Sequence, residues 1–256
     1  MPTGLGPGML STMNRPPHLH HTLALGLALA ITPALAWPTP EAALAAPAIA
    51  RLTRLPAGGI QAVETTDGDL LFLSDNGRYA FRGPAVDLWH GARLTDLDTV
   101  QRLAGRIDLQ RLKLDPRDLG AVDFGEGPEV IVFIDPYCPH CKALLAVLPG
   151  LAPRYRFRLV PLPVLGEASQ QAVLAINCLS VADPEQARQA LLESAVLRAL
   201  PPPEDGCGQV PAQRALVTAQ ILGVQGTPYL IAPDGRLRQG APEDLGAWLA
   251  QGEGTP

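Results

Sequence analysis

No block or stripe of Lys and Arg appears anywhere in this sequence, and its net charge is −5, which speaks against nucleic acid or an anionic lipid surface as the main partner. Charged residues are scarce, at 18% against 47% hydrophobic, and that balance excludes disorder throughout while leaving enough apolar side chain for a sizeable core. A long hydrophobic run is also missing. Leu23 to Ile31 is apolar but falls well short of the ~20 residues that a bilayer span needs. Cysteine is limited to four residues, Cys138, Cys141, Cys178 and Cys207. Proline and glycine are the exception to this scarcity: 27 and 25 residues gather at the N-terminus and in connections, as punctuation between packed elements.

Residues 1–36 read as a targeting segment. Met1 or Met13 serves as the start, Arg15 supplies a weak positive charge, and the run to Ile31 is followed by Ala34-Leu35-Ala36, a small-residue cleavage site before Trp37; Ala43-Leu44-Ala45 is a second choice. Export implies an oxidising compartment, in which an even number of cysteines makes two disulfides the default expectation. The spacing of the four is uneven. Cys138 and Cys141 form a tight redox or metal pair, whereas Cys178 and Cys207 are far enough apart to close a long loop.

Three strand-like runs follow Gly58: Ile60 to Thr65, Asp69 to Ser74 and Arg78 to Arg82, joined by Asp67-Gly68 and Asp75-Asn76-Gly77, which signal hairpins. A three-stranded sheet with an exposed edge usually pairs with something, and a homodimer is the simplest solution. The period then changes. Leu94, Leu97, Val100, Leu103, Ile107 and Leu112 recur at helical spacing, with Thr95 and Asp98 as a capping box, so a linker helix is predicted from about Thr95 to Leu112. Glu129 to Ile134 is a continuous apolar strand bounded by Pro128 and Asp135-Pro136. A helix through Lys142 to Leu148, a strand from Arg156 to Val160, helices near 170–179, 184–199 and 211–222, a hairpin at Asp234-Gly235 and a last helix over 243–250 complete a mixed α/β unit.

A strand that delivers Cys138-Pro139-His140-Cys141 to the start of a helix sets the first sulfur beside unpaired N–H groups and the positive end of the helix dipole, where thiolate is favoured. Pro139 suits the first turn because its missing N–H is not needed there, and a protonated His140 adds positive charge. Cys141 lies one turn inward, placed to attack a mixed disulfide at Cys138. A closed zinc site needs two further ligands at suitable spacing, and Cys178 and Cys207 form no second knuckle. An inert Cys138–Cys141 disulfide would close too short a ring to stabilise much. Redox chemistry is the reading that remains. Thr227-Pro228, ahead of the apolar strand Tyr229 to Ala232, supports it: a cis bond there would present the preceding backbone to an extended peptide.

The run Phe133 to Lys142, followed by Gly223-Val224-Gln225-Gly226-Thr227-Pro228, resembles the thioredoxin superfamily, and within it the bacterial periplasmic disulfide isomerases of the DsbC/DsbG type. Gly59 to Val63, Leu73 to Gly77 and Gly83-Pro84 resemble that family's small N-terminal dimerisation domain. The resemblance implies an α+β / α/β protein: signal peptide 1–36, β-meander dimerisation domain 37–92, linker helix 93–120, and a thioredoxin-like catalytic domain with a helical insertion over 121–256. It implies that Cys138 is the nucleophile, Cys141 the resolving thiol, Thr227 and Pro228 the cis-proline loop, and Cys178–Cys207 a structural disulfide. It further implies a periplasmic homodimer that acts on unfolded or misoxidised exported proteins. No cofactor is expected beyond the redox-active Cys138–Cys141 disulfide, and a membrane-embedded, DsbD-like thiol reductant is expected to keep Cys138 reduced. Pro139-His140 departs from the isomerase pattern, since that dipeptide is carried by the oxidising DsbA family. The alternatives are therefore a DsbA-like dithiol oxidase or a disulfide-independent holdase chaperone.

Overall fold

The computed structural model describes residues 48–252 apart from 57, 109 and 110; the expected targeting segment and its cleavage sites lie outside them. The N-terminal part is a four-stranded antiparallel meander of β1 (Ile49–Arg54), β2 (Ile60–Thr65), β3 (Leu70–Ser74) and β4 (Ala80–Arg82), paired in chain order. Sequence reading finds three of these strands and misses β1, which is exposed along most of its length and so carries no inside–outside alternation. A two-stranded hairpin, β5 (Ala85–Asp87) and β6 (Ala92–Leu94), follows and is likewise too short to be legible.

The predicted linker helix is shorter than its apolar stripe. Helix α1 spans Leu97–Ala104 and ends at Gly105, and its cap is Asp96, whose carboxylate accepts from Thr99 N–H at 2.7 Å, in place of the expected Thr95–Asp98 box. Leu97 and Val100 pack on Ala62 and Phe72 of the meander, whereas Ile107 and Leu112 belong to a different cluster, against the second sheet. One straight helix does not serve both cores. The chain leaves the helix at Gly105, whose carbonyl accepts from Leu237 N–H at 2.9 Å, while Ile107 N–H donates to Gly235 O at 2.8 Å.

A 3₁₀ turn (Pro116–Leu119) leads to β7 (Val122–Phe124), β8 (Glu129–Ile134), α2 (Pro139–Leu151), β9 (Arg156–Pro161), α3 (Glu167–Ala182), α4 (Pro184–Leu192), α5 (Ser194–Arg198), α6 (Gln209–Ile221), β10 (Tyr229–Ile231), β11 (Leu237–Gln239) and α7 (Leu245–Ala250). The five strands run in the order β11-β10-β8-β9-β7, with β8 and β9 parallel and the other pairs antiparallel. Strand β8 is central and buried on both faces, which is why it reads as an unbroken apolar run. Its Val130, Val132 and Ile134 meet α2, α3 and α4; its Ile131 and Phe133 meet α6, where Ala215 and Ala219 let helix and sheet approach closely.

Gly235 closes the β10–β11 turn at φ +82°, and a Cβ there would lie 2.2 Å from the Ile107 carbonyl oxygen. Gly235→Ala is expected to lose about 1–2 kcal/mol for the left-handed backbone alone, with the overlap adding to it. A urea unfolding midpoint equal to that of the parent would show that the Ile107 segment yields without cost.

Candidate active site

Strand β8 ends at Ile134, and Cys138 occupies the N-cap of α2 with φ −68° and ψ 123°. Pro139 takes the first helical position, with no side-chain cap present, so the first-turn N–H groups remain available to the sulfur. Cys138 and Cys141 are both unbridged and buried, at 6% and 0% exposure, while Pro139 and His140 lie exposed beside them. Across from the pair is the Thr227–Pro228 peptide, which is cis; the Cys138 thiol donates to Thr227 O at 3.5 Å. Thr227 Oγ1 is buried and has no aligned hydrogen-bond partner among the described residues, yet the Thr227 side chain favours ionisation of both sulfurs.

The environment separates the two thiols. Burial opposes ionisation of Cys138, but the backbone N–H of Cys141, the Cys141 and Thr227 side chains and the backbone N–H of His140 together outweigh it and hold the group below its usual range. His140 thus acts through its backbone, with its ring in solvent. Burial pushes the Cys141 thiol up to about 12, against smaller opposing effects of the Thr227 side chain and the Asp135 backbone. The arrangement favours charge on Cys138 and keeps Cys141 as a thiol behind it.

Cys178, on α3, and Cys207, just before α6, are joined in a disulfide with Cα atoms 5.6 Å apart. The adjacent Asn177 donates from Nδ2 to Gly208 O at 3.2 Å, so the excursion through α4 and α5 is tied at its base by two bonds. Asp135 went unread in the sequence except as the end of a strand. It is fully buried and accepts from the N–H of Tyr137, the preceding neighbour of Cys138, at 2.8 Å. No pattern in the sequence marks it, because its other partners come from beyond β9.

A strand that runs into a helix headed by a Cys-x-x-Cys pair, opposite a cis-proline loop and within a mixed five-stranded sheet, defines a thioredoxin-like domain. Residues 124–252, half of the chain, match the family model for the thioredoxin-like domain, and the protein belongs to that family. Among solved structures it is similar to a periplasmic thioredoxin-like protein from Salmonella enterica serovar Typhimurium, at 25% identity and a TM-score of 0.47 over 54% of this chain and 92% of that one. It is also similar to the catalytic domain of Proteus mirabilis ScsC, at 20% and 0.43 over 53% and 89%. A third is the thiol-disulfide exchange protein alpha-DsbA2 from Wolbachia pipientis, at 21% and 0.42 over 57% and 92%. No curated protein matches the chain.

Two outcomes are expected. In the reduced protein, the pH midpoint for alkylation of Cys138 by iodoacetamide should lie below 9.0, the ordinary thiol value, and Cys141 should stay unmodified at that pH. Peptide mass spectrometry separates the two. Replacing Cys178 and Cys207 together with Ala should lower stability by about 3–4 kcal/mol for the lost loop constraint; a urea transition displaced by much less would mean that packing alone holds the insertion.

Proposed function

We propose that this protein is an exported thiol–disulfide interchange protein, a disulfide isomerase or reductase of the DsbC/DsbG type that acts on misoxidised proteins in the periplasm. The asymmetry of the two sulfurs carries this reading: a stabilised thiolate at the head of α2 and a buried thiol one turn behind it. The Cys138 thiolate attacks one sulfur of a substrate disulfide, forms the mixed disulfide and expels the other substrate sulfur as thiolate. If a substrate thiolate then attacks the substrate sulfur of the mixed disulfide, Cys138 is released as thiolate and the substrate is isomerised with no net electron transfer. If Cys141 attacks Cys138 instead, the substrate leaves reduced by two electrons and Cys138–Cys141 is oxidised. Repetition of the second route needs an outside donor, and a membrane-embedded, DsbD-like thiol reductant fits that need.

Pro139 and His140 border the attacking sulfur, and the cis Thr227–Pro228 loop offers backbone for an extended substrate strand. The meander supports a homodimer, since its outer strands expose Ile49 and Leu52 on β1 and Phe81 on β4. Export accords with the targeting pattern of residues 1–36 and with the Cys178–Cys207 disulfide. The Pro139-His140 dipeptide and the stabilised thiolate favour a second reading, a dithiol oxidase, because a more stable thiolate makes a stronger oxidant.

The deciding experiment equilibrates the Cys138/Cys141 pair of the mature protein with graded glutathione buffers, read by thiol trapping, beside reactivation of a substrate with scrambled disulfides. Reactivation that disappears in Cys138→Ala supports the isomerase. A potential near the about −120 mV of strong oxidants, with oxidation of reduced substrate but no reactivation, supports the oxidase. Protection of unfolded chains that survives Cys138→Ala, with no reversible two-thiol transition, leaves only a holdase.

A further inference from the structure

Asp135 is buried at 0% exposure, and no other charged side chain is buried among the described residues. Four donors converge on its carboxylate. Oδ1 accepts from Tyr137 N–H and from the Ser169 hydroxyl, both at 2.8 Å; Oδ2 accepts from Val164 N–H at 2.8 Å and Leu165 N–H at 3.0 Å. The donors come from three places: the turn ahead of α2, the loop after β9, and the first turns of α3. A carboxylate only accepts and matches all four, whereas an amide in its place would turn N–H against N–H. The Asp135 backbone adds a fifth bond, its carbonyl accepting from Cys138 N–H at 3.1 Å. Two successive residues, Tyr137 and Cys138, are therefore held by one aspartate, immediately before a helix that has no side-chain capping bond at its N-terminus.

We propose that Asp135 is a positioning residue for disulfide exchange: its carboxylate ties the turn bearing Cys138 to the Val164–Leu165 loop and to α3, and so keeps the Cys138 sulfur aimed at the first-turn N–H groups of α2. This deepens the reading of Cys138 as the attacking thiol. The titratable side chains of the turn that carries that sulfur are Asp135 and Tyr137 before it and the exposed His140 and buried Cys141 after it.

The sign of one measurement separates positioning from a plain charge effect. As a nearby negative charge, Asp135 would disfavour a second negative charge, and Asp135→Asn would lower the Cys138 titration midpoint. As a positioning residue it favours the thiolate indirectly, so Asp135→Asn should raise that midpoint by about one pH unit, a roughly tenfold loss of thiolate on the acid side of the midpoint. Ser169→Ala keeps the charge and three of the four donors, and should raise the midpoint by a smaller amount. The titration is followed on the reduced proteins by thiolate ultraviolet absorbance and by the pH dependence of Cys138 alkylation, with circular dichroism reporting the fold. A folded Asp135→Asn protein with an unchanged or lowered midpoint overturns the proposal. Should that variant not fold, an unchanged midpoint in Ser169→Ala does so. Because the titration needs no substrate and no redox partner, it fails independently of the exchange activity, which the glutathione equilibrium of the parent tests.

Discussion

The first N–H groups of any α-helix lack an intrahelical partner, and at the start of α2 the residue in the capping position is a cysteine, which offers sulfur where Ser, Thr or Asp would offer oxygen. Burial works against charge at that sulfur, and the N–H groups of His140 and Cys141 work for it. The second effect wins only while the sulfur stays close to the helix end. That requirement explains why so much of the domain is arranged around a short turn: a central strand to fix its origin, a cis peptide opposite it, and a buried carboxylate beneath it.

The rest of the architecture follows from making β8 central. A strand covered on both faces needs apolar layers on each side, and α2, α3 and α4 supply one while α6 supplies the other. The helix that carries Cys138 is held through Leu144, Leu145 and Leu148, which keeps Cys141 inside the core and its thiol neutral. The α4–α5 excursion joins that same core through Ala187, Ala190, Leu191 and Leu197, and its base is closed by Cys178–Cys207. The helical insertion is thus part of the packing behind the active-site helix. On the other face, Ile107 and Trp89 reach in from the segment ahead of the sheet, so the link between meander and catalytic unit is a packed junction as well as a covalent one.

Several features were open to reading in the chain itself because each depends on a few consecutive residues. The unbroken run of β8, the Cys-x-x-Cys that follows it, the Asp234-Gly235 hairpin and the helix-forming stretches near 170–179 and 211–222 are local features, and the elements appear where those features lie. Others were not legible. Strand β1 has no alternation to detect, and the stripe from Leu94 to Leu112 has helical spacing but is divided between two cores, so the helix stops at Gly105. A periodic stripe reports that side chains are buried without reporting against what.

The sequence by itself determined a central buried strand, a thiol pair at its end and a Thr-Pro ahead of another strand, since strand period, Cys-x-x-Cys spacing and dipeptide identity are all written within a few residues of one another. The place of Cys138 at the helix start was enough to mark it as the favoured thiolate; tertiary structure added the burial that raises the Cys141 thiol and the groups brought in from elsewhere, since Thr227 is a long way from Cys138 along the chain and in contact with it in space. It also decided the role of Asp135, whose partners Val164, Leu165 and Ser169 reach the carboxylate only after β9 and α3 have packed beside β8.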